Sequence, residues 1–147
     1  MTKTLTATLK EAGTLLEKRE YTHAESLYRK AMQLQPDNAA AAMGIAMIHN
    51  RTGQPAEALK ILQRVWKAIP SSKTKKSITP KAAVLAQIGL AQQQTGRVIE
   101  ALQSFREANK LRPSAELSKL IQNLENAVEN PDTIAQLVSR ASQLQHT

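Results

Sequence analysis

Three stretches of the chain repeat one arrangement of small and large apolar side chains. Ala24, Tyr28 and Ala31 stand four and then three residues apart, and so do Ala58, Leu62 and Val65, and again Ala101, Phe105 and Ala108. Positions i, i+4 and i+7 share one face of a helix, so each triplet predicts a helix that buries one stripe. Each of these helices runs to a proline, at Pro36, Pro70 and Pro113. A proline ring restrains the residue before it and removes a backbone donor, so the helix must stop there. A second helical stretch precedes each block and carries a small residue, at Ala12, Ala46 and Gly89, followed by a turn at Arg19, Gly53 and Gly96. Gly53 and Gly96 suit the left-handed conformation that ends a helix. Pro55 suits the first turn of the helix that follows.

Small residues at Ala12, Ala24 and Ala31 let two antiparallel helices approach closely, while Tyr28, Leu62 and Phe105 fill the space between neighbouring hairpins. The first two copies lie 34 residues apart and the third follows after 43, which is one period plus a nine-residue insertion. Self-similarity at such a period is the mark of a stacked repeat. The small residue, the step from alanine to an aromatic four residues on and the closing proline resemble the tetratricopeptide repeat. The resemblance implies an all-α fold, an α-solenoid of antiparallel helix hairpins with about eight helices. It places repeats at 5–38, 39–72 and 82–115, a basic inserted loop at 73–81, and capping helices or a degenerate fourth repeat at 116–147. In that last stretch Ser114 can cap a helix, and Asn130-Pro131-Asp132 breaks the chain and restarts it. The family pattern is departed from in two columns. The large aromatic early in the first helix is replaced by Thr8, Ala42 and Leu85, and the tyrosine one turn past the small residue by Leu15, His49 and Gln92. These losses weaken packing and leave the register unchanged.

The insertion reads Ser-Ser-Lys-Thr-Lys-Lys-Ser-Ile-Thr over 71–79, and Thr79-Pro80 then reads as an N-cap with a first-turn proline. Lys60, Arg64, Lys67, Lys73, Lys75, Lys76 and Lys81 fall in a stretch without one acidic residue. Such a run is either a solvated loop or a contact for an acidic protein or a nucleic acid. The loop holds no aromatic residue to stack a base, which favours the solvated loop.

Composition sharpens the helical reading, since Ala, Leu, Gln, Glu and Lys are abundant and aromatics few. Cysteine is absent, so disulfides and thiolate metal sites are excluded. No apolar run is long enough to span a bilayer, and the first residues do not read as a secretion signal, so the expected compartment is the cytoplasm. A net charge of +8 allows an acidic partner without naming one. His23, His49 and His146 share no ligand spacing, and the glycines form no phosphate loop. The expectation is a protein that is not an enzyme and uses no cofactor or metal. His49, in a column usually held by a packed tyrosine, reads as structural.

In tetratricopeptide arrays the first helix of each hairpin lines the concave side. The resemblance therefore places Thr6, Leu9, Gly13, Leu16, Ala40, Met43, Met47, Asn50, Ala83, Ala86, Leu90 and Gln93 on the inner wall. Repeats that hold acidic chaperone tails clamp the carboxylates there with lysine, asparagine and arginine; the matching residues are Leu9, Gly13, Gly44, Ala83 and Gln87, none of them charged. The wall is apolar, and Met43 and Met47 share a helix face because they lie four apart. The candidate peptide groove is Leu9, Leu16, Met43, Met47, Asn50, Ala86, Leu90 and Gln93. The function this implies is an adaptor or scaffold that binds another protein through an apolar extended or helical segment. Two alternatives are a chaperone for a secreted or assembled protein and a nucleic-acid-associated factor using residues 60–81. Homo-oligomerisation, or cover of the wall by the C-terminal helices, stays open.

Overall fold

A computed structural model describes residues 4–129 of the chain. Among them there are seven α-helices and no strand: α1 Leu5–Glu17, α2 Tyr21–Leu34, α3 Ala39–Arg51, α4 Pro55–Ala68, α5 Lys75–Gln94, α6 Val98–Leu111 and α7 Ala115–Glu129. An eighth helix and the break at 130–132 lie outside the described residues. The described residues divide into two compact units that part between Ala68 and Ile69. In the first, α1 packs on α2, α3 on α4, α2 on α3, and α1 on α3; in the second, α6 packs on both α5 and α7.

The repeated columns form the cores. Ala12, Ala24 and Ala31 have no exposed surface and sit with Leu16, Tyr28, Ala41, Ile45 and Ile48 in the core of the first unit. Tyr28 spans two hairpins there: a Cβ added to Gly44 on α3 would collide with its ring. Ala101, Phe105 and Ala108 take the same places in the second unit, joined by Leu85, Val98, Leu102, Leu117 and Leu124. Phe105 presses on Gly89, where an added Cβ would lie 2.6 Å from its Cε1. Neither glycine can be enlarged without displacing the aromatic core residue.

Turn chemistry follows the columns. Arg19, Gly53 and Gly96 all have left-handed backbone, with φ of 63°, 76° and 79°. The amide of the next residue in each turn reaches back to close the helix: Glu20 to Leu15, Gln54 to His49 and Arg97 to Gln92. Arg19 takes the conformation although it has a side chain, at a steric cost that glycine would avoid. At helix starts, Thr4, Asn38 and Ser114 accept from the amides of Ala7, Ala41 and Leu117.

One departure from the sequence reading and two from the repeat pattern have physical causes. The helix after the insertion begins at Lys75, not at Thr79-Pro80, so Pro80 lies inside α5 and part of the presumed loop is helical. Thr74 starts this helix through its carbonyl, which accepts from Ser77 and Ile78. Ser77 is buried and its hydroxyl bonds to that of Ser72 at 2.7 Å, which anchors the turn ahead of the proline. Second, Thr8 is fully buried in place of an aromatic, its hydroxyl donating to the Thr4 carbonyl at 3.0 Å. Third, Gln92 accepts a 2.7 Å hydrogen bond from Ser104, tying α5 to α6 where the repeat pattern places a tyrosine.

Candidate functional site

In the first unit α1 and α3 are in contact. Gly13, Leu16 and Met47 converge on one open cleft of about 750 Å³, rimmed by Glu17, Arg19, Tyr21 and Arg51. Leu9 and Met47 are half-buried and pack against the core, and Met43 is half-buried one turn before Met47. Two residues assigned to the wall are largely buried, Leu16 while still lining this cleft and Asn50 outside it. Leu16 keeps only 6% of its surface and Asn50 6%, because the stripe that faces α2 and α4 is wider than the family columns alone imply.

In the second unit Ala83, Ala86 and Leu90 line a cleft of about 260 Å³ together with Leu117 and Leu120 of α7. The α7 residues are absent from the candidate groove read from sequence; their signal is the apolar spacing Leu117, Leu120, Ile121 and Leu124. Gln93 is half-buried and lies outside this cleft.

A third cleft was not anticipated. It holds about 420 Å³ between α2, α3 and α4, with Met32, Ala42, Ile45, Ile61 and Val65 among its lining. Ala42 is the signal that pointed to it, since that column calls for a large side chain. Leu85, its counterpart in the second unit, is buried in the core.

The basic residues are mostly solvated. Lys60, Arg64 and Lys67 share the exposed face of α4, while Lys73, Lys75 and Lys76 are exposed around the start of α5 and Lys81 is half-buried. Lys60 pairs with Glu57 at 3.7 Å, an exposed contact of little energetic weight.

Titratable chemistry is sparse. His49 is buried on α3 with its Nε2 4.0 Å from the Glu25 carboxylate of α2, a place in the interior rather than in a cleft. Among the described residues no three of His, Asp or Glu are grouped to hold a metal ion. None of the described helices is long and apolar enough to cross a membrane. Burial pushes the Tyr28 hydroxyl above its ordinary range, partly opposed by the nearby positive charge of Arg51.

Family profiles described as tetratricopeptide repeat match residues 15–74 and 82–114, together more than half of the chain. The chain belongs to the tetratricopeptide repeat proteins. A curated relative, cellulose synthase operon protein C of Pseudomonas fluorescens, is 30% identical over 97 residues; the match covers 66% of this tetratricopeptide chain and 8% of that much longer protein. Solved structures share the fold at low identity. The first tetratricopeptide domain of human RPAP3 gives a TM-score of 0.71 at 14% identity, covering 92% of this chain and 95% of that one. MamA (41-end) from Desulfovibrio magneticus gives 0.69 at 16%, covering 97% and 76%. The first domain of Spaghetti (RPAP3), solved with the HSP90 peptide SRMEEVD, gives 0.67 at 15%, covering 86% and 94%.

Proposed function

We propose that this tetratricopeptide protein is an interaction adaptor that holds an apolar extended or helical segment of another protein on the first-helix faces of its hairpins. The observation that carries the reading is the set Leu9, Met43 and Met47 on α1 and α3, all half-buried, beside the open cleft lined by Gly13 and Met47. Apolar side chains left partly in water gain by a partner that covers them, about 25 cal/mol for each Å² removed from water. Methionine adapts its shape to varied apolar ligands.

The occupant differs from the acidic peptide held by the Spaghetti (RPAP3) domain. A carboxylate needs a cation or several donors, and the five clamp positions here are Leu9, Gly13, Gly44, Ala83 and Gln87. Gly44 is moreover buried beneath the Tyr28 ring. None of these five side chains supplies a charge to a carboxylate.

The test is affinity capture from native extract, nuclease-treated, with wild type and with Met43→Lys plus Met47→Lys compared by mass spectrometry. The expected outcome is a protein retained by wild type and lost by the variant, with matching circular dichroism spectra. Identical captures by the two proteins would sink the reading.

A further inference from the structure

The cleft between α2, α3 and α4 is separate from the cleft of Gly13 and Met47: no residue lines both. Its cause lies in one column of the repeat. A large side chain at position 42 would point into this space from α3, and alanine leaves it open over an apolar floor of Met32, Ile45, Ile61 and Val65. About 420 Å³ falls within the range of sites that take a ligand group, and it admits a large apolar side chain.

The rim is charged, and its balance is positive. Arg29 and Arg64 line it against one carboxylate, Asp37. Arg29 is already paired with Glu25 at 2.9 Å. Arg64 is exposed and makes no ion pair with a described carboxylate, and Lys60 and Lys67 flank it on the same face of α4. A cation beside an apolar hole selects a ligand that supplies both a large apolar group and an acid.

We propose that this cleft docks an acidic amphipathic segment of a partner protein, with one large apolar side chain in the space above Ala42 and a carboxylate on Arg64. Binding of such a peptide buries the anchor where the repeat pattern places an internal side chain, so a residue supplied from within the chain competes with it directly. Ala42→Leu fills the space from inside. Arg64→Glu inverts the charge on an exposed helix face and leaves the core untouched, so it reads the same site even where Ala42→Leu perturbs folding.

The experiment sorts a displayed library of short random peptides on the wild-type chain of residues 1–147, with counter-selection on Ala42→Leu. The enriched peptides are then synthesised and titrated by calorimetry. The expected result is enrichment of peptides that combine Trp, Phe or Leu with Asp or Glu. Their affinity falls by about tenfold or more in Ala42→Leu and in Arg64→Glu, and holds in Met43→Lys plus Met47→Lys. That last arm separates this cleft from the first-helix wall. Three results overturn the proposal: no peptide prefers wild type over Ala42→Leu; the preferred peptides lack acids and bind Arg64→Glu equally; or sedimentation shows a wild-type dimer that Ala42→Leu abolishes, which makes a second copy of the chain the occupant.

Discussion

Arg19 and Tyr28 show how single side chains carry cost and stability in this chain. Arg19 occupies the turn position held by Gly53 and Gly96 in the later hairpins, with φ of 63°. A left-handed residue with a Cβ costs about 1 kcal/mol against glycine. Arg19→Gly is therefore expected to stabilise the first unit by about 0.5–1 kcal/mol in urea melts, less than the full cost because glycine also loosens the unfolded chain. A loss of stability would show that the guanidinium makes a compensating contact. Tyr28 carries a pH dependence. Its hydroxyl titrates above the ordinary value of 10.0 because burial disfavours the phenolate. The unfolded chain therefore ionises first as pH rises. The stabilisation tied to this group is complete below about pH 10 and is lost as pH climbs through the raised folded value. The stability difference between wild type and Tyr28→Phe should be flat at neutral pH and shrink only in strong alkali. A difference that changes between pH 5 and 8 would rule out this assignment.

At the scale of the elements, α5 is the helix whose sequence and structure differ most. Pro80 lies in its sixth position, so its missing amide leaves the Lys76 carbonyl without its helical partner. The segment before it is held by Ser77, buried and bonded to Ser72, and by the Thr74 carbonyl. Local sequence cannot reveal this, because a proline preceded by threonine is an equally good helix start. Burial of Ser77 is a tertiary fact. Ser77→Pro is expected to remove the turn at 74–79 and return the helix start to Thr79. Hydrogen exchange would record this as lost protection at Ile78, with residues beyond Lys81 unchanged. Unchanged protection would mean that the turn stands without the Ser77 hydroxyl and amide.

For the molecule as a whole, the division at residue 68 has a chemical consequence. Residues 69–74 lie outside the helices and all but Ile69 are exposed, and Lys73 supplies a tryptic site there. Proteases cut backbone that can open without unfolding a core. The first tryptic cut among the described residues is expected after Lys73, giving one fragment with α1–α4 and another with α5–α7. A first cut inside α4 or α6 would show that the helices open before the connection does.

The repeat was legible without coordinates, since a stripe of Ala, Tyr or Phe and Ala at helical spacing leaves one face to bury, and antiparallel pairing of neighbouring helices is the shortest way to bury it. The turn residues, the N-cap at Ser114 and the closing prolines follow from backbone chemistry that acts within a few residues. What lay beyond reach depends on which side chains meet across helices. Asn50 carries the pattern of an open wall and is interior, and Leu16 lines the cleft with little of its surface left exposed. Gln92 pairs with Ser104 twelve residues away along the chain. The α7 side of the second cleft and the space over Ala42 exist only where three helices come together. Periodicity records how wide a helix's apolar face is. The packing partner decides how much of that face is covered, and so which of its residues remain available to bind.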